Sequence, residues 1–142
     1  FIITMNNLSV SSLKTLMTNI LKLREKYSST YQRVWFDTPI LQHPDWQHIA
    51  LLDDSFNNYF EDAIDYMTQH QHSTDMVAFR DYEIAKVKRC YEIMKQGIGD
   101  KHKHMGNFWR FFKTHDARRN TSLVDTFPEY GQWFKECQEA TQ

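Results

Sequence analysis

Phe1-Ile2-Ile3-Thr4-Met5-Asn6-Asn7-Leu8-Ser9 and, past the next helical pattern, Val34-Trp35-Phe36-Asp37-Thr38-Pro39 are the stretches on which the fold turns. Phe1–Thr4 is apolar and β-prone and predicts a short buried strand. Ser9, Ser11 and Ser12 then offer side-chain oxygens that cap a helix. Leu13, Leu16, Met17, Ile20 and Leu23 follow with the three-and-four spacing of one buried face, carrying that helix to about Tyr27. Lys14, Lys22, Arg24 and Lys26 take other positions, and the later ones suit the negative end of the helix dipole. Val34-Trp35-Phe36 predicts a second strand, stopped at Asp37-Thr38-Pro39 because the residue before a proline is pushed out of helical geometry. Strand, helix and strand in this order make a βαβ unit, whose crossover sets the strands parallel. Two parallel strands need neighbours, and the sequence supplies none. A chain that opens on such residues without a Met reads as a piece of a longer protein.

Beyond Pro39 the character becomes helical. Ile40 to Leu52, with Pro44 and Trp46, reads as an ordered connection. Asp53, Asp54 and Ser55 open a helix to about Gln69, with Phe56, Phe60, Ile64 and Met67 on its buried stripe. A longer helix is predicted from about Asp75 to Lys95, with Phe79, Tyr82, Val87, Tyr91 and Met94 inward and Gly97 and Gly99 as stop signals. Met105, Phe108, Trp109, Phe111 and Phe112 form an aromatic helix ending near Ala117. Thr126-x-x-Glu129 fits a capping box for a last helix carrying Tyr130, Trp133, Phe134 and Cys137. The fold expected is therefore helix-rich α/β. Residues 1–38 form a βαβ unit, followed over residues 39–142 by an α-helical appendage.

Composition excludes several classes. The 142 residues suffice for one domain with a real core. Lys and Arg number 17 against 18 Asp and Glu, a net charge of −1 that disfavours a whole-domain nucleic-acid binder. Hydrophobic residues at 41% and aromatics at 15% disfavour disorder. The longest apolar runs are no longer than Ile49–Leu52, far short of a membrane span. Gly97, Gly99, Gly106 and Gly131 build neither a P-loop nor a dinucleotide fingerprint, and no G-x-S-x-G elbow is present.

Few residues carry chemistry. His70-x-His72 and His102-x-His104 sit at opposite ends of a predicted helix whose ends lie roughly 30 Å apart. They cannot share an ion, and each pair alone falls short of a zinc ligand set, so no metal site is assigned. Cys90 and Cys137 read as packed thiols, too few for an iron–sulfur cluster. Asp37 and Thr38 stand at the carboxyl end of a presumed parallel strand, where ligand-binding groups concentrate; Asp37 equally fits as the cap of the following turn. Lys101–Arg119 contains six Lys or Arg and one Asp, whereas Asp53–Asp65 holds five acids and no base. Interleaved aromatics and cations there, with Arg110, His115, Arg118 and Arg119 foremost, suit an anionic partner. The same residues fit an amphipathic helix with cations at its C-terminal end, or a basic segment docked on the acidic helix.

Taken together, Thr4-Met5-Asn6-Asn7-Leu8-Ser9, Phe36-Asp37-Thr38-Pro39-Ile40-Leu41-Gln42-His43-Pro44, His115-Asp116-Ala117-Arg118-Arg119-Asn120-Thr121 and Thr126-Phe127-Pro128-Glu129 resemble, in order and spacing, the C-terminal region of twitch-type radical SAM proteins. The resemblance covers nearly the whole chain. It implies a parent enzyme that uses S-adenosylmethionine and an iron–sulfur cluster inside a partial (β/α) barrel, in the cytoplasm, on a peptide or small-molecule substrate. It also implies that residues 1–38 are the last βαβ unit of that barrel, pairing with its N-terminal remainder with Asp37 and Thr38 facing substrate or cofactor, and that residues 39–142 are an α-helical C-terminal extension. The cluster motif C-x-x-x-C-x-x-C and auxiliary-cluster cysteines are absent here. The chain alone is thus expected to bind neither cofactor and to be non-catalytic, closing the barrel and shaping substrate access. The alternative is a small helical binding module that uses residues 101–119 on an acidic protein or a nucleic acid.

Overall fold

The computed structural model describes residues 1–29 and 33–142. They are helical: α1 (Leu13–Tyr27), α2 (Asn57–Gln69), α3 (Asp81–Gln96), α4 (Lys101–Arg119), the single turn α5 (Leu123–Thr126) and α6 (Gly131–Glu139), joined by short 3-10 turns. α1 packs on α2, α2 on α3, and α4 on α6, while the turn Ile49–Leu51 runs beneath α3. Buried side chains from Met5 to Cys137 form one connected core.

The βαβ unit and the partial barrel expected from residues 1–38 are not formed: the described residues contain no strand and no sheet. The two segments do lie parallel, meeting at isolated bridges between Ile2 and Asp37 and between Met5 and Ile40. The Asp37 amide donates to Phe1 O (2.9 Å), Ile3 to Asp37 O (2.8 Å), Met5 to Pro39 O (2.7 Å) and Leu41 to Met5 O (2.9 Å). Pro39 falls in the middle of this pattern and has no N–H, so the intervening bond cannot be made and the pairing splits into two bridges. What replaces a sheet here is side-chain packing of Met5 and Phe36 into a helical core.

Other local expectations also shift. The helix predicted from Asp75 starts at Asp81. The Asp75 carboxylate accepts from the Val77 and Ala78 amides at 2.6 and 3.1 Å and holds a turn, which competes with helical bonding. Glu83 then reaches back to the Arg80 amide (3.1 Å) and fixes the helix start. Tyr82 lies outside, stacked on exposed Trp35 at 6.4 Å. Thr126 is not a cap. Ser122 caps α5, the Thr126 hydroxyl donates back to the Ser122 carbonyl at 2.9 Å, and α6 begins only at Gly131.

The C-terminal helices are stitched to the chain's start. Tyr130, fully buried, donates its phenol to Asn7 O at 2.6 Å, and the Asn7 amide donates to Trp46 O at 2.9 Å. Trp46 in turn inserts against α4, with ring centroids 4.5 Å from Phe111 and 6.4 Å from Phe108. Gly106 lies where α4 meets the end of α6: a Cβ there would stand 3.2 Å from Ala140 O, so a small residue sets the approach.

Candidate functional site

Two concave regions collect the residues singled out in the sequence. The first is a recess of about 370 Å³ between residues 37–42 and α3. Asp37 and Thr38 form one wall, Lys86 and Arg89 the other, and Ile40 and Ile93 supply apolar surface. The Asp37 carboxylate lies 3.0 Å from the Lys86 ammonium and accepts from the Thr38 amide at 2.9 Å. The bond from Lys86, with that amide, holds its pKa below the usual carboxylate range, so it is charged at neutral pH. Both sequence readings of Asp37 meet here, since it caps a local amide and also borders a cavity. Thr38 is buried, and its hydroxyl meets the Cys90 thiol at 3.8 Å. Burial pushes the Cys90 thiol pKa up, which keeps it protonated and a poor nucleophile. Lys86 and Arg89 were not singled out from the sequence. Their only signal is that they fall three residues apart on one face of a helix.

The second region is a trough of about 510 Å³ along α4, bordered by Arg110, Phe111, Thr114, His115, Arg118 and Arg119. Spacings of three and four residues bring these side chains to one face. Phe111 is 44% exposed and stacks on the His115 ring, with centroids 6.1 Å apart and planes at 20°. Arg110 donates to Asn107 Oδ1 at 3.2 Å. Among the described residues none of the three guanidiniums takes part in an ion pair.

Next to the trough, Asp116 points the other way. Its carboxylate accepts from the Leu123 amide and the Thr121 hydroxyl, both at 2.8 Å, and lies 3.3 Å from His115 Nδ1. Burial works to raise the Asp116 pKa, but these donors outweigh it and the net shift is downward. Asn120 takes the left-handed conformation (φ 51°) that ends α4. Asp116, Asn120 and Thr121 thus build the turn into α5, whereas Arg118 and Arg119 project from it. The basic segment has α6 as its main partner and makes no ion pair with the acidic helix among the described residues.

The remaining candidates stay apart. His70 packs on Tyr66 with ring centroids 4.4 Å apart and planes at 38°, and His72 Nδ1 accepts from the Thr74 and Asp75 amides at 3.2 and 3.1 Å. His104 lies 3.9 Å from Asp45. Among the described residues no three His, Cys, Asp or Glu side chains converge as a metal site. Cys90 on α3 and Cys137 on α6 are both buried, and burial raises both thiols. Two dispersed, protonated thiols do not fit an iron–sulfur cluster, which needs three or four thiolates at one place. Among the described residues no helix is long and apolar enough to cross a membrane. No family model, curated protein or solved structure matches this chain.

Proposed function

We propose that this chain is a helical C-terminal region of a cytoplasmic radical SAM enzyme, acting by contact with the rest of that enzyme and its substrate rather than by chemistry of its own. The motif order set out above supports the reading. The observation that carries it is an apolar edge left open to solvent. Phe1 is 69% exposed and Ile2 80% exposed, and both line an apolar groove with Ile3, Leu16, Ile20 and Leu23. Such an edge is stabilised by another protein surface laid over it. In this reading S-adenosylmethionine and the cluster are held elsewhere in the enzyme, and the substrate is a peptide or small metabolite. The test is the coding sequence on the 5′ side of Phe1. It should specify C-x-x-x-C-x-x-C, and the full product, reconstituted anaerobically with iron and sulfide, should cleave S-adenosylmethionine. A reading frame without that motif sinks the proposal.

A second reading is favoured by the α4 trough. Three guanidiniums that form no ion pair among the described residues, around an exposed ring, suit an anionic partner, an acidic protein or a nucleic acid. Fluorescence anisotropy with a labelled acidic peptide and a labelled oligonucleotide distinguishes the two. Binding of the oligonucleotide should fall linearly in log–log terms with salt, by about 0.7 per phosphate contacted. The Arg118→Ala, Arg119→Ala double variant should weaken whichever probe binds by about tenfold or more. Affinity that is unchanged in the variant would end this reading.

A further inference from the structure

We propose that the recess between residues 37–42 and α3 binds a small zwitterion, an α-amino acid with an apolar side chain. The inference rests on neither reading above, because every residue it needs lies between Asp37 and Ile93 of this chain.

The argument starts from charge. A simple anion entering the recess would meet Lys86 and Arg89 but also the Asp37 carboxylate. A simple cation would meet Asp37 but also two positive side chains. A molecule carrying an ammonium and a carboxylate on one carbon satisfies both walls at once. Asp37 is 61% exposed and remains accessible to a ligand ammonium although it pairs with Lys86. Arg89 is exposed and takes part in no ion pair among the described residues, so its planar fork is free for a carboxylate.

The second observation is independent of charge. Thr38, 7% exposed, is a buried polar residue lining the recess, and its hydroxyl accepts a hydrogen bond from the Cys90 thiol at 3.8 Å. A thiol is a weak partner, and a buried hydroxyl gains from a better one. A ligand carboxylate held by Arg89 offers a strong acceptor. Ile40 and Ile93 then supply the surface for an aliphatic side chain, and the volume of about 370 Å³ is that of a small-ligand pocket.

The probe is L-leucine, titrated into the isotope-labelled chain and followed by amide chemical shifts. Saturable shifts are expected at Thr38, Ile40 and Cys90 in the millimolar range. 4-Methylpentanoate, which lacks the ammonium, and isopentylamine, which lacks the carboxylate, should each bind about tenfold more weakly. Arg89→Ala should weaken leucine by a similar factor without weakening isopentylamine, which loses a repelling cation; Asp37→Asn should weaken leucine without weakening 4-methylpentanoate, which loses a repelling carboxylate. Both side chains are exposed, and unchanged shifts elsewhere show that the variants fold. Absence of saturable shifts overturns the proposal. So does 4-methylpentanoate binding as tightly as leucine, which makes the recess a plain anion site.

Discussion

Glu83→Gln is expected to cost about 3–5 kcal/mol of folding stability, a large share of what a domain of this size possesses. Glu83 is 1% exposed and sits between two buried guanidiniums. Its Oε2 accepts from Arg24 Nη2 at 2.6 Å, and its Oε1 accepts from Arg33 and from the Arg80 amide. Arg24 also donates from Nε to Val34 O at 2.9 Å and lies over the edge-to-face pair of Phe36 and Phe79, 5.6 and 5.4 Å from their centroids. Arg33 donates to Met76 O at 2.8 Å and Ala78 O at 2.7 Å. One carboxylate therefore holds together α1, the segment after it, the turn at residues 75–80 and the start of α3. Glutamine keeps the shape but leaves two buried cations facing each other. Arg24→Met should cost less, because Glu83 stays paired with Arg33 and the new side chain packs over the two rings. Urea denaturation of both variants checks the order; an Arg24→Met that is the worse of the two would show that packing, not charge, governs this cluster.

Phe108→Ala should be of similar size, about 3–5 kcal/mol, whereas Phe111→Ala should cost about 1 kcal/mol or less. Phe108 is fully buried, with ring centroids 4.6 Å from Phe112, 4.8 Å from Trp133 and 6.2 Å from Phe134. Its loss opens a cavity where α4, α6 and the Trp46 segment meet, and rings on three sides cannot all collapse into it. Phe111 keeps much of its surface in water and loses mainly its contact with Trp46. The same pair of variants separates packing from binding. Phe111→Ala should weaken the anionic partner of the α4 trough while the melting temperature barely moves. Equal destabilisation by the two variants would place both rings in the core and leave the trough without its aromatic wall.

Periodicity carries the sequence a long way toward this fold. The stripes Leu13-Met17-Ile20, Phe60-Met67 and Tyr130-Trp133-Cys137 are the buried faces of α1, α2 and α6. Arg24 and Glu83 lie on such stripes as well, four residues after Ile20 and four before Val87. A charged residue on a buried stripe is ordinarily read as facing water, because burying it without a partner is prohibitive. The partner was far away in the chain, so the pattern could not announce the pair. In the same way Asp37 and Thr38 stood out as candidate site residues, but Lys86 and Arg89 looked like ordinary helix-surface cations until α3 was laid against residues 37–42.

The amino-acid sequence by itself determined the course of α1 and α2 and the apolar faces they bury, since the three-and-four spacing of apolar residues is a local property that water reads directly. Pro39 marked the end of the expected second strand, whereas in the structure it falls inside the pairing of residues 1–5 with 37–41 and interrupts it. Only the tertiary structure decided that this interrupted pairing ends as two bridges on a helical core instead of a sheet. A strand is not a local property: it exists only when a neighbour completes its hydrogen bonds along an unbroken ladder. For the same reason the charged cluster at Glu83 and the recess at Thr38 belong to the folded molecule, because each is made of residues that the sequence keeps apart and packing brings within a hydrogen bond.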